Sequence, residues 1–423
     1  MRFERQSRWR PDRLILALLV SGLCSALVSA PTLAEKITSE RISKLPSEKQ
    51  KAWFDYLARS DSSSRLIESA FDQENRDNAI ETPELAPGGS DFRPPERVEN
   101  SWYSSEQAVE SSAVLISFQN PVGGWSKHVA VDRGIRRAGM HWSSQGTIDR
   151  PRYIGTFDNA STTGQILFLA KVYQQRSNRS DIRQAVEKGL RYVLDAQYPN
   201  GGWPQVYPLE GGYHDDITFN DDAMVHVLSL LDAVCRRKQG FEFIDEPMRR
   251  DCQAAFDRGV TCILTMQHQQ NGELGLWCAQ HDALTLLPSN ARAMEPASIS
   301  GSESVGILKL LMGIEHPTES IRNSIEGGLR WFSEHPIRGL RRIEIDGQDR
   351  YVPDEHSEEV YWTRFYDLES QKPIFPGRDG VIYDSFQELA TRNRLGYDYL
   401  TTKPKGLLGS SQKSWRKRVG SGR

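Results

Sequence analysis

The chain has 423 residues, 38% of them hydrophobic and 26% charged, with a formal net charge of −3. That is enough for one large or two ordinary globular domains with a sizeable core. The slight acidity excludes the basic footprint of a nucleic-acid-binding protein, so no nucleic-acid partner is expected.

The first element is a leader. Arg2, Arg5, Arg8, Arg10 and Arg13 precede an apolar run from Leu14 to Ala30, which exits through small residues near Ala34. This order of basic, apolar and small segments is that of a secretory signal peptide over residues 1–34. The run falls short of the ~20 apolar residues needed to span a bilayer, and Ser21, Gly22, Ser25 and Ser29 interrupt it. A mature chain that is secreted or periplasmic, and free of the membrane after cleavage, is the expectation. Outside the leader, Cys235, Cys252, Cys262 and Cys278 lie close together. An exported compartment permits disulfides among them, with three possible pairings. Their spacings lack the close Cys-x2-Cys pattern of a zinc site.

Residues 35–97 read as a helical N-terminal extension and linker. "KAWFDYLARS" and "RLIESAF" carry helical patterns, and "ETPELAPGGSDFRPPE" then breaks them. Residues 98–404 form the main domain, and a basic, disordered tail is expected over 405–423.

Within the main domain one outline recurs. "EQAVESSAVLISFQNPVGGW", "IRQAVEKGLRYVLDAQYPNGGW" and "CQAAFDRGVTCILTMQHQQNGELGLW" each run from a helical pattern through a Gln to a turn and then Trp. The three end at Trp125, Trp203 and Trp277, about 75 residues apart, and a degraded fourth copy is "TESIRNSIEGGLRWFSEHP". A second apolar helix falls between successive copies: "TTGQILFLAKVYQQ", "DAMVHVLSLLDAVCRR" and "SVGILKLLMGI". Three repeated helix pairs predict a mainly α protein, an (α/α)3 toroid with the Gly-Trp turns on one side. Strand content is minor, chiefly a hairpin over Leu340–Val352 around Gly347. Each Trp either plugs a helix end or rims a groove and stacks on a ligand.

Polar loops precede the second helices. "IGTFDNASTTGQ" carries Asp158 and Asn159, "GGYHDDITFNDDAM" carries His214, Asp215, Asp216, Asn220, Asp221 and Asp222, and "PSNARAMEPASISGSES" carries Arg292 and Glu295. Helix capping is the plain explanation. Carboxylates converging from three equivalent positions also match the oxygen donors of a hard cation such as Ca2+. Outside the repeats, "RFYDLESQKPIFPGRDGVIYDS" puts Arg378 on a turn.

"GTFDNAST", "AQYPNGGWPQVYP", "DITFNDDAM", "SISGSES" and "KPIFPGRDGV...LGYDYL", in that order, resemble the pectate lyases of polysaccharide lyase family 10. The resemblance implies an (α/α)3 toroid that cleaves polygalacturonate by Ca2+-dependent β-elimination. It implies that Asp158 binds the metal and takes part in catalysis. It also implies that Arg378 abstracts the proton and that Asp221 and Arg292 line the substrate cleft. Asn159 and Trp203 are further expected substrate-binding residues. A monomer is expected. Lys127, Arg292 and Lys372 are candidates for pairing with uronate carboxylates. Three rivals remain open at this point. An inverting glycoside hydrolase would use Asp158 and Asp221 as its acid and base. The Gln-Trp repeats also resemble those of triterpene cyclases, although the Asp-x-Asp-Asp string such enzymes need is absent. The last is a pectin-binding protein without turnover.

Overall fold

A computed structural model describes residues 35–95, 97–345, 348–392 and 398–420. The expected signal peptide lies outside these residues.

The helices come in chain order as α1 (Ser39–Ser43), α2 (Ser47–Asp77), α3 (Glu106–Ser117), α4 (Thr163–Gln175), α5 (Ser180–Asp195), α6 (Ala223–Cys235), α7 (Glu246–Met266), α8 (Glu303–Gly313) and α9 (Glu319–Glu334). From α3 onward they form the (α/α)3 toroid. Helices α4, α6 and α8 pack on one another as an inner ring, while α3, α5, α7 and α9 follow one another around the outside. The sequence explains the division. α4 and α6 are buried around most of their circumference, whereas α5 buries a single stripe, Ile182, Ala185, Val186, Gly189, Leu190 and Val193. The same stripe recurs in α7 as Cys252, Ala255, Phe256, Gly259, Val260 and Ile263. In α9 it is Ile321, Ser324, Ile325, Gly328, Leu329 and Phe332.

The recurrent Gln and Trp close each repeat. The indole N–H groups of Trp125, Trp203 and Trp277 donate to the carbonyls of Leu115, Val193 and Ile263, each at 2.8 Å. Gln119 Nε2 donates both to Gly123 O in its own turn and to Ala185 O in α5. Gln197 repeats this with Gly201 and Ala255, and Gln267 with Gly275 and Ser324. Each Gln thus ties a turn to the next outer helix, satisfying two buried carbonyls that would otherwise be costly. The glycine of the stripe makes room for the ring: a Cβ on Gly259 would come within 2.9 Å of the Trp203 ring and 2.6 Å of Leu228.

Two boundaries differ from the sequence expectation. Residues 35–77 share the toroid's core, with Ile37, Ile42, Trp53 and Tyr56 buried in it. Tyr56 donates from its hydroxyl to Ala196 O at 3.1 Å. Residues 405–420 are not a disordered tail; they are helical over Lys403–Gly406 and Gln412–Gly420, with a π-turn between, and bury Leu407 and Trp415. A periodicity reading undervalues so short a basic segment because two apolar anchors suffice to dock it. The expected hairpin is present as Leu340–Ile345 paired antiparallel with Gln348–Pro353. Cys235, Cys252, Cys262 and Cys278 are free thiols, the last three buried.

Candidate active site

Two copies of one turn lead into the inner helices. Phe157 and Phe219 are fully buried and pin the turns from below. Thr156 Oγ1 accepts from the Asp158 N–H at 3.1 Å, and Thr218 Oγ1 from the Asn220 N–H at 3.2 Å. Asn159 and Asp221 then take matching left-handed conformations, φ 53°, ψ 32° and φ 52°, ψ 33°, which Asn and Asp tolerate better than most residues. Capping does not account for these loops, because neither Thr162 before α4 nor Asp222 before α6 makes a side-chain cap bond.

Asp158 is buried, and its Oδ2 receives Lys127 Nζ at 2.5 Å. Its Oδ1 is buried without a hydrogen-bond partner among the described residues. The Lys127 ammonium also lies 4.0 Å from the centroid of the Tyr153 ring, and Tyr153 Oη is 2.7 Å from His214 Nε2. Burial, aided by Arg152, pushes His214 down to about 4. The neighbouring Asn159 donates from Nδ2 to Asp91 Oδ2 at 3.0 Å.

Across from this pair stands Asp221, exposed where Asp158 is buried. The part of its side chain that is withdrawn from water raises its carboxyl above the ordinary range; Arg364 opposes the shift, while Asp158, Glu303 and Glu295 reinforce it. Asp158 and Asp221 therefore feel each other's charge. Arg364 is buried and organises this side. It donates to Asn220 Oδ1 at 2.8 Å and to the buried carboxylate of Glu303, and it lies 3.8 Å from Asp221 Oδ1. The adjacent Asp222 turns elsewhere, its Oδ1 filling the space that a Cβ on Gly306 would need. That settles which of the two aspartates faces the cluster. Arg364 and Glu303 carry no sequence signal of their own beyond membership of the quoted motifs, and they were not among the expected site residues. No local spacing links residues 220, 303 and 364.

Arg292 makes a two-pronged contact with the buried Glu295, Nε to Oε2 and Nη2 to Oε1, both at 2.7 Å. Arg378 is exposed at the tip of a tight hairpin in which Phe375–Pro376 pairs with Ile382–Tyr383. The turn closes through Gly377 N to Val381 O at 2.7 Å, and Asp379 braces it by accepting from Val381 N and from the Tyr383 hydroxyl. Burial pushes the Tyr399 phenol up to about 12, and the charges of Arg378 and Arg364 both act against that shift. Tyr399 thus lies within the field of the hairpin arginine and of the arginine that contacts Asp221. Arg364 contacts Asp221 directly, Asp158 and the Glu295 partner of Arg292 act on the Asp221 charge, and Tyr399 joins the Arg378 hairpin to Arg364, although these residues come from distant parts of the chain.

Four other expected residues lie elsewhere or serve the interior. Trp203 is 1% exposed and packs under its turn, so its ring is not available to stack on a sugar. Lys372 is exposed in the loop closed by Asp367 N to Lys372 O. Asp215 and Asp216 are interior groups: Asp215 accepts from Gly211 N at 2.8 Å and Asp216 from Ser289 Oγ at 2.7 Å. Burial pushes them up to about 6 and about 8.

The sequence pattern of the pectic acid lyase family matches residues 119–408, a stretch that runs from the first Gly-Gly-Trp turn past the arginine hairpin. Among solved structures, the family 10 polysaccharide lyase from Cellvibrio cellulosa is 31% identical, with a TM-score of 0.64, over 75% of this chain and 95% of that one. A mutant of the same lyase in complex with trigalacturonic acid matches with the same identity and score over 74% and 95%. No curated protein sequence matches. Repeat architecture, converging charged loops and these similarities agree: the chain belongs to the pectic acid lyase family and is a pectate lyase of polysaccharide lyase family 10.

Proposed function

We propose that this enzyme cleaves α-1,4-linked polygalacturonate by Ca2+-dependent β-elimination to 4,5-unsaturated oligogalacturonides. The observation that carries the calcium reading is the buried Asp158 Oδ1, which has no hydrogen-bond partner among the described residues. A buried carboxylate oxygen without a donor is costly unless something positive meets it. The donor chemistry suits a hard cation, since Asp158 and Asp221 offer carboxylate oxygens within each other's field. Asp158 and Asp221 would hold the cation together with a uronate carboxylate. When bound, the cation neutralises the C6 carboxylate and stabilises the charge that develops as the C5 proton leaves.

The protein's own groups carry the rest. Arg378, having first lost its proton to solvent, takes the C5 proton. The C5–H electron pair becomes the C4=C5 double bond, and the C4–O bond breaks with its pair going to the leaving oxygen, which then takes a proton from water. Arg364 and Glu303 hold Asn220 and Asp221 in place, and Arg292 pairs with a uronate carboxylate. One observation favours a second reading, in which Arg292 is the base: the buried Glu295 fixes its guanidinium from two sides, the preorganisation proton abstraction needs. The same contact raises the cost of deprotonation, which favours Arg378.

Export belongs to the proposal, because a polymer cannot cross a membrane to reach its enzyme, and the leader pattern of residues 1–34 would supply it. The trigalacturonic acid held by the related lyase mutant supports a galacturonate substrate for this chain. The test follows polygalacturonate with and without Ca2+. A conjugated double bond that forms with the ion and disappears on chelation is the expected result, and turnover unchanged by chelation would reject the calcium step.

A further inference from the structure

The contact between Lys127 and Asp158 poses a conflict. An ammonium already sits 2.5 Å from the carboxylate that the cation needs, and the pair is nearly shut off from water, at 12% and 6% side-chain exposure. Two positive ions against one carboxylate repel each other strongly in so dry a site. The lysine is nevertheless not a passing surface contact. Its ammonium is held over the face of Tyr153, whose hydroxyl is fixed by His214 and whose backbone N–H is fixed by the Glu210 carboxylate. Its backbone follows the Gly-Gly-Trp turn, anchored by the buried Trp125. These contacts to the ammonium are non-covalent, and a flexible four-carbon stem lets it swing from them.

We propose that Lys127 is a resident counter-ion that couples cation binding to substrate binding: it neutralises Asp158 while the cleft is empty and passes to a uronate carboxylate when the cation takes its place. The inference rests on the calcium-dependent reading and adds a binding order to it. A bare cation must displace the ammonium with no new anion to receive it, whereas a cation arriving with uronate leaves every charge paired. By reciprocity, uronate binds weakly without the cation.

The experiment is calorimetric titration of the full mature chain with Ca2+, alone and in saturating monomeric galacturonate, which has no glycosidic bond to cleave. For the unaltered enzyme, galacturonate should tighten Ca2+ binding by at least about tenfold. Lys127→Met should tighten binding of Ca2+ alone and reduce that factor to below about twofold, while Lys127→Arg keeps the coupling. Should Lys127→Met fail to fold by circular dichroism, Lys127→Gln replaces it, and the unaltered enzyme still decides by itself. Equal Ca2+ affinity with and without galacturonate overturns the proposal, as does full coupling in Lys127→Met. An absence of Ca2+ binding under both conditions overturns the calcium reading itself, and so is distinguishable from a failure of coupling alone.

Discussion

Asn159 and Asp221 occupy the same place in two copies of one turn, with backbone angles that agree to within a degree. The repeat builds one socket twice and fills it with an amide in one copy and a carboxylate in the other. The difference falls on the charge and leaves the backbone alone.

Asp221→Asn therefore isolates that charge. Asn suits the left-handed conformation and matches what the first copy already carries. The expected result is a loss of about 100-fold or more in kcat/KM on polygalacturonate, corresponding to at least about 3 kcal/mol of transition-state stabilisation, with a melting midpoint within a degree or two of the parent. Unimpaired turnover would remove Asp221 from the site.

The two arginines are separable by pH. Free Arg has a pKa of about 12.5–13.8, so deprotonating it at pH 7 costs about 8 kcal/mol and at pH 10 about 4. A rate that climbs with alkalinity is expected, with Arg378→Lys moving the climb to lower pH and Arg292→Lys changing mainly KM. The reverse pattern in the two variants assigns the base to Arg292. A flat rate between about pH 6 and pH 10 counts against either arginine.

Arg364→Ala should fail by unfolding more than by chemistry. It strips the buried Glu303 carboxylate and Asn220 of their shared partner, and removing one member of a buried ion pair costs about 3–5 kcal/mol. Thermal denaturation should fall by several degrees, and Arg364→Lys should recover only part of it, since an ammonium cannot reproduce the fork. An unchanged midpoint would contradict the ion-pair geometry.

Asp216 sets a stability limit on the alkaline side. Burial raises its carboxyl from 3.8 to about 8 in the folded chain. Between those values the unfolded chain releases a proton that the folded chain retains, so stability falls as pH rises through that window and levels off above it. Asp216→Asn still accepts from Ser289 and carries no such penalty. Its melting midpoint should match the parent near pH 4 and exceed it by a few degrees at pH 9. An advantage that is the same at both pH values would exclude ionisation of Asp216 as the cause.

Much of this protein is local in origin and can be read along the chain. The stripes of α5, α7 and α9, the Gln that ends each pattern and the Trp that follows are all periodic, because helix geometry repeats every few residues and the repeat unit packs in the same way each time. The toroid follows from that. So do the positions of Asp158, Asp221 and Arg378, which lie in short ordered motifs. Tertiary structure decided what periodicity cannot encode, namely which side of a turn becomes interior. Trp203 shares its sequence outline with its counterparts, and only packing against Gly259 of the next repeat shows that its ring is core. Asp221 and Asp222 are neighbours in sequence, and only Arg364 and the approach of Gly306 separate their roles. Arg364, Glu303 and Asn220 meet because loops from different repeats close on one end of a ring. Their union depends on long-range packing, which leaves no spacing in the chain to read.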